Sequence, residues 1–263
     1  MQGIVGTMGT RPVVLVTGAA KRVGRVIALE LAANGFDVAV HYRGSHAEAQ
    51  ATAAAARALG ADAEGFGADL AIEAEARALL PAVVARFKRI DAVVNNASAF
   101  EYDDATSFTY ATLARLMNAN TAPAVVLAQA LHHHLEGCSE LGCVVNLLDQ
   151  KLWNPNPDYF SYTLSKAALE TATTMLAMAL APRVRVCAVA PGVTLPSGPM
   201  AQAQFEHSHR LTPLGRSSTP DDVARSVRFL IESPAITGTT LLVDGGQHLA
   251  AQARDVMFLA RPT

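Results

Sequence analysis

The sequence predicts an α/β fold, a single doubly wound parallel sheet with helices on both faces. Three observations predict it. Short β-branched apolar runs alternate with helical stretches along the chain, and alternation at this spacing implies parallel strands joined by crossover helices. No repeat, linker or low-complexity stretch divides the sequence. The chain has 263 residues, 51% of them hydrophobic, enough for one sizeable core. One domain is therefore expected over residues 1–263, with its core at about 11–249, a loose Gly/Thr-rich tail at 1–10 and a second tail at 250–263.

The elements follow in order. Residues 13–17 read as a first strand, and 23–34 as a helix stopped by Gly35. Residues 37–42 form a second strand, and 47–59 an alanine-rich helix ended by Gly60. A short third strand at 63–67 precedes a helix at 73–88. A fourth strand at 91–95 leads into a long helical region, about 106–136, with a bend expected at Pro123 because proline lacks the N–H that a helix interior needs. Residues 143–148 are a fifth strand, 159–181 a helix and 185–190 a sixth strand. The helix at 220–231 has a strong start: Thr219 as cap, Pro220 in the first turn and Asp222 completing a capping box. A last strand covers 240–243. Residues 150–158 and 191–215 lack regular patterning. Both follow strands, and in such a sheet the ligand crevice lies at the carboxyl ends of the strands.

Composition excludes several classes. The net charge is −2 with both signs scattered, so neither nucleic acid nor an anionic membrane is indicated as a partner. The longest apolar runs are of strand length, too short to span a bilayer, and the first residues lack the build of a signal peptide. Cys138, Cys143 and Cys187 are few, odd in number and not in a CxxC pair, which fits cytoplasmic thiols. Cys143 and Cys187 sit in apolar runs and read as core. The run His132-His133-His134 reads as a surface helix end, since consecutive helical residues point in different directions and cannot easily share one ion. No metal site is expected.

The first strand runs into Thr17-Gly18-Ala19-Ala20-Lys21-Arg22-Val23-Gly24. Such a turn lets the backbone approach a phosphate, which the helix N-terminus then faces with free N–H groups. At the end of the second strand stands His41-Tyr42-Arg43-Gly44-Ser45, with no acid until Glu48. An enzyme using NAD usually places an acid there for the ribose 2′-hydroxyl. Arg43 and Arg22 instead offer donor forks to a 2′-phosphate, so NADPH is expected. The alternative for Arg43 is a solvated surface charge.

Tyr162 and Lys166 lie four apart near a helix start, hence on one face. An ammonium near a phenol favours the phenolate and is expected to lower its pKa from about 10, giving a proton donor or acceptor near neutral pH.

Taken together these pieces resemble a short-chain dehydrogenase/reductase over about residues 11–249. The matching segments are Thr17-Gly18 through Gly24, Asp69-Leu70, Asn95-Asn96-Ala97, Asn120, Tyr162 through Lys166, Pro191-Gly192 and Asp244-Gly245-Gly246. The resemblance implies a Rossmann-type sheet and assigns roles. Asp69 and Leu70 would lie near the adenine, with Asn95 to Ala97 along the cofactor. Lys166 would hold the nicotinamide ribose, Asn120 would support a proton relay through water, and Pro191, Gly192 and Thr194 would flank the carboxamide. Gly18, Arg22, Val23, Gly24, Tyr42, Arg43 and Ser45 complete the cofactor set. The resemblance also implies a homotetramer.

Two departures from the family pattern narrow the reading. Arg22 replaces the usual middle glycine of the first turn, and Asp149 replaces the usual serine thirteen residues before the tyrosine. An ionised carboxylate would repel the oxyanion of a reacting ketone, whereas it suits a substrate with N–H donors. Both departures are similar to the pteridine reductase branch, as is Asn95-Asn96-Ala97-Ser98-Ala99-Phe100. That likeness implies a pterin-like small-molecule substrate, with Phe100 stacking it against the nicotinamide and Ser98 contacting it; plain packing is the alternative for Phe100. The implied reaction reduces a dihydropterin C=N bond, with Asp149 binding pterin N–H groups or lying in the proton path with Tyr162. The rivals are a ketone or 3-oxoacyl reductase and a non-catalytic NADPH-binding protein. Trp153 and the stretch after it are expected to cap the site. Phe205, His207 and His209 fall in the irregular substrate loop, with both histidines expected to be exposed. The tail from Ala250 is expected either to reach a neighbour's site or to lack order.

Overall fold

A computed structural model describes residues 11–196 and 202–259; the expected loose tail at 1–10 lies outside them. Seven strands form one parallel sheet in the order β3-β2-β1-β4-β5-β6-β7. They are β1 (Val13–Val16), β2 (Asp37–Tyr42), β3 (Ala63–Gly67), β4 (Ala92–Asn95), β5 (Gly142–Leu147), β6 (Val184–Pro191) and β7 (Thr240–Val243). Each expected strand is present; the central ones, β1, β4, β5 and β6, are apolar runs buried on both faces, whereas the edge strands β3 and β7 are only partly buried.

Alternation along β1 divides the core. Val14 and Val16 join one apolar cluster with α1 (Arg22–Ala33), α2 (His46–Ala58) and α8 (Pro220–Glu232). Val13 and Leu15 join a second cluster with α3 (Glu73–Phe87), α5 (Ala122–His134) and α6 (Phe160–Leu180). The doubly wound prediction thus becomes two packed layers, one per sheet face. Cys143 and Cys187 are buried within the first cluster.

Three local differences stand out. The region expected as one bent helix is two, α4 (Tyr110–Asn120) and α5, which break at Thr121. Pro123 lies in the first turn of α5, where its missing N–H has no partner to lose. The histidine run closes α5. The stretch 191–215, expected to be irregular, contains α7 (Gln202–Arg210), a polar helix whose pattern lacks an apolar stripe. Residues 250–259 fold onto their own chain and end in a turn, α9 (Val256–Leu259), rather than lacking order. Helix α8 has the predicted capping box of Thr219 and Asp222. No described helix is long and apolar enough to cross a membrane.

The strand order reverses direction beside β1: the chain proceeds from β1 to β3 on one side, then returns to β4 on the other. The crevice at that switch lies at the carboxyl ends of the strands, and the candidate site residues converge there.

Candidate active site

Two adjoining cavities open at these strand ends. The first, about 440 Å³, lies among the turn after β1 and the ends of β2, β3 and β4. Of the residues expected along a cofactor, Gly18, Arg22, Val23, Gly24, Arg43, Asp69, Leu70 and Ala97 line it. Backbone approach dictates the glycine at 24: a Cβ there would sit 2.3 Å from the carbonyl oxygen of Gly18. Arg22 holds a left-handed φ of 55°, which costs a non-glycine residue about 1 kcal/mol. Glycine would adopt that conformation without steric cost. The Arg22 guanidinium donates to the carbonyl of Pro196 at 2.8 Å. Arg43 is exposed, and among the described residues no hydrogen bond or ion pair engages it. Glu48, the nearest acid, is taken by Lys21 at 2.5 Å.

The turn is held by the side chains of Thr17, Asn96 and His41, a structural role that sequence reasoning did not assign them. The Thr17 hydroxyl accepts from the backbone N–H groups of Asn96 and Ala97, both at 2.9 Å. Asn96 Nδ2 donates to the carbonyl of Thr17 at 2.9 Å. His41, 2% exposed, accepts the Gly18 N–H at Nδ1, 3.0 Å, and its Nε2 lies 3.1 Å from the Ala68 carbonyl. The first bond makes Nε2 the protonated nitrogen, and burial lowers the ring's pKa, so it is a neutral tie between three strand ends. A polar residue at the buried end of a strand was the available signal for it.

Five predicted cofactor residues, Tyr42, Ser45, Asn95, Lys166 and Pro191, lie outside the linings of both cavities. The Tyr42 ring rests over Gly65 and Gly67 of β3. Ser45 occupies the cap position of α2. Asn95 is buried in β4 and donates to Asn146 Oδ1 at 2.8 Å. Pro191 ends β6, in register with Val243 of β7.

The second cavity, about 320 Å³, is lined by Phe100, Asp149, Tyr162, Gly192 and Thr194, with Arg22, Val23 and Ser98 shared with the first. Phe100 is 46% exposed; its ring stacks on Tyr159 at 4.2 Å and meets Tyr162 edge-on at 4.7 Å. The ring both packs on two tyrosines and lines the cavity. Trp153 does not line this cavity; Asn156, three residues on, does. His207 is exposed as expected, whereas His209 is half-buried and lies 2.9 Å from the carbonyl of Val193.

Tyr162 Oη donates to Asp149 Oδ2 at 3.0 Å. Asp149 Oδ1 accepts the backbone N–H of Lys151 at 2.9 Å, capping a 3-10 turn over Gln150–Trp153. Burial raises the carboxyl's pKa above the ordinary value, and the nearby Asp255 adds to that. The expected lowering of Tyr162 does not occur. Burial and the Asp149 charge push its pKa well above 10. Lys166 is buried with its ammonium donating to the Leu147 carbonyl at 2.7 Å; burial lowers its own pKa to about 8, and its charge lies 5.9 Å from the Tyr162 ring centroid. The phenol is therefore a neutral hydrogen-bond donor.

The side-chain amide of Asn120 is fully engaged within the protein. Its Oδ1 accepts from Ala99 N at 2.7 Å and Ser98 Oγ at 3.2 Å, and its Nδ2 donates to Ala99 O at 3.0 Å and Ser165 Oγ at 2.9 Å. All four hydrogen-bonding positions of the amide are used, so this side chain clamps the Ser98–Phe100 segment and has none left for a water.

Known proteins are similar to this chain in sequence and fold. A family model described as enoyl-(acyl carrier protein) reductase matches residues 18–248. The chain belongs to the short-chain dehydrogenase/reductase family. Among solved members, FolM alternative dihydrofolate reductase 1 from Brucella canis, crystallised with NADP, superposes with a TM-score of 0.86 at 40% identity, covering 93% of this chain and 97% of that one. Pteridine reductase 1 of Leishmania tarentolae is 33% identical over 92% of this chain and 98% of its own. A 3-oxoacyl-[acyl-carrier-protein] reductase of Synechocystis sp. is 32% identical over 90% and 97%. Among short-chain dehydrogenase/reductases the chain is thus similar both to the pteridine reductase branch and to carbonyl reductases.

Proposed function

We propose that the chain is an NADPH-dependent reductase of a dihydropterin C=N bond, yielding the tetrahydro form. The observation that carries this reading is the hydrogen bond from Tyr162 Oη to Asp149 Oδ2 at 3.0 Å, a carboxylate where a carbonyl reductase of the family has a serine. In its ionised form, a carboxylate at that point would oppose a developing alkoxide. The same charge accepts strongly from ring and amino N–H groups. The names of the Brucella and Leishmania relatives support the pterin side.

The residues present fit NADPH. The first cavity combines a glycine-permitted backbone approach, the start of α1 and the unengaged guanidinium of Arg43. When bound, NADPH supplies the hydride. The chain's own residues do the rest. Phe100 offers its exposed ring to the flat substrate, and Ser98, clamped by Asn120, offers a hydroxyl beside it. Asp149 and Tyr162 hold the proton for the ring nitrogen. With its pKa raised by burial, Asp149 retains a proton closer to neutral pH than an ordinary carboxyl does. Lys166, donating to Leu147 O, fixes one ammonium beneath the phenol.

The test is a panel of 7,8-dihydrobiopterin, dihydromonapterin, dihydrofolate and simple ketones with NADPH, run on the native chain and on Asp149→Ser. Pterin turnover is expected to fall at least a hundredfold in the variant. Intact pterin turnover in Asp149→Ser, or far better native turnover of ketones, would sink the reading in favour of the 3-oxoacyl reductase alternative that the Synechocystis relative supports.

A further inference from the structure

Residues 250–259 return across the second cavity of their own chain and are tied down at several points. Arg254 lays its guanidinium on Asp158, Nε to Oδ2 at 2.8 Å and Nη2 to Oδ1 at 2.7 Å, and the Asp255 N–H donates to the same carboxylate at 2.7 Å. Lys151, 3% exposed, donates to Asp255 Oδ2 at 3.1 Å and to the Asp158 carbonyl at 2.5 Å. Asn154 Nδ2 reaches the Ala250 carbonyl at 2.6 Å. Beyond these ties, Met257 and Phe258 pack against the cluster of Leu116, Tyr159 and Tyr162. Gln252, Asp255, Val256 and Met257 consequently line the cavity that holds Asp149 and Tyr162, and none of them lines the cofactor cavity.

An apolar anchor would hold such a segment at least as well as a buried ion pair. A carboxylate at this position does something an apolar group cannot, which is to add charge to the cavity. Gln150, 8% exposed on the same wall, has an Oε1 with no hydrogen-bond partner, an acceptor left over for a ligand N–H.

We propose that this C-terminal segment is the specificity-determining wall of the substrate cavity, and that Asp255 is its determinant, a second carboxylate that with Asp149 selects a flat, N–H-rich heterocycle over a simple ketone. The identity of that heterocycle as a pterin rests on the function proposed above. The charged and titratable groups facing Asp149 are Tyr162 and Lys166 from α6, Lys151 from the 3-10 turn, Arg22 from the start of α1 and Asp255 itself. Among them Asp255 is the one carboxylate, and its charge raises the Asp149 pKa.

Asp255→Asn keeps the side chain's size and can still accept from the Met257 N–H. Arg254→Ala releases an anchor that does not line the cavity, and Arg254→Lys is its conservative control. Biopterin binding to the NADP⁺-saturated protein and NADPH binding are followed by fluorescence titration, with kcat and KM for dihydrobiopterin across pH. Asp255→Asn is expected to weaken biopterin about tenfold, to leave NADPH affinity within twofold, and to move the alkaline fall of kcat/KM to lower pH, since the raised pKa of Asp149 relaxes downward. Arg254→Ala is expected to raise KM more than it lowers kcat, with partial rescue by Arg254→Lys. Unchanged biopterin affinity and an unmoved pH profile in Asp255→Asn would overturn the wall while leaving the pterin reading standing. Equal loss of NADPH and biopterin affinity would mark a merely structural role and overturn it too. Failure of the native chain to bind biopterin would remove both proposals.

Discussion

Lys166 shows how one side chain's surroundings set both its chemistry and its cost. Its pKa falls to about 8 because burial penalises the charge, a shift from the ordinary value worth roughly 3 kcal/mol. The unfolded chain therefore binds more protons between about pH 8 and the ordinary lysine value, so stability rises with pH across that window and the full cost is present at neutral pH. Lys166→Met removes that cost and forfeits the bond to Leu147 O, worth about 1 kcal/mol. We expect turnover to fall at least a hundredfold while Tm at pH 7 stays level or rises by a few degrees, the gap to the native chain closing towards pH 10. A large drop in Tm would refute the assignment of the shift to desolvation. Tyr162, Lys166, Asp149, Ser98 and Phe100 were legible in the sequence because a four-residue spacing and motif order carried them. The direction of the Tyr162 shift was not. Its partner lies thirteen residues away, and burial has no local sequence signature.

At the scale of elements, the placement of Tyr162 depends on how α6 begins. Tyr159, at the cap position, has a left-handed φ of 53° and makes no side-chain cap. A remote loop supplies one instead: Asp103, buried, accepts from Ser161 N at 2.8 Å and Ser161 Oγ at 2.5 Å, and its carbonyl accepts from Phe160 N at 3.0 Å. Asp103→Ala would strand these buried donors and is expected to cost about 2–3 kcal/mol, or roughly 5–10 °C in Tm for a chain this size. Because Ser161 neighbours Tyr162, kcat is expected to fall several-fold with NADPH affinity unchanged. A stable, fully active variant would show that α6 is held by its packing alone. Elements with strong local codes were readable: the strands by their β-branched runs, α8 by its capping box. Those governed by distant partners were not. Asp103 caps a helix 58 positions away, the break at Thr121 is fixed by its hydroxyl donating to Ser165 O at 2.8 Å, and the C-terminal segment is organised by Lys151 and Asp158 rather than by any periodicity of its own.

Across the whole molecule, the reversal of strand order beside β1 makes one face of the sheet a shared binding edge, and the first cavity joins the ends of β1, β2, β3 and β4. This was legible early, since strand–helix alternation fixes where the carboxyl ends must gather, although which residues along those ends face inward had to await the structure: Tyr42 and Asn95 turn away, His41 and Asn96 turn in. A ligand bridging four strand ends binds the folded state alone, so it should raise the unfolding temperature of the entire domain. At a hundred times its dissociation constant the gain is about 2.7 kcal/mol, or roughly 5–10 °C. NADPH is expected to stabilise more than NADH at equal concentration, because Arg43 has no competing partner among the described residues while Glu48 is neutralised by Lys21. Arg43→Glu reverses the charge offered to a 2′-phosphate without touching the core. Its NADPH shift should shrink to that of NADH or below, with the affinity ratio between the two cofactors falling at least tenfold. Equal NADPH shifts in the native and variant chains would show that Arg43 is only a solvated surface charge and that phosphate selection resides in Arg22.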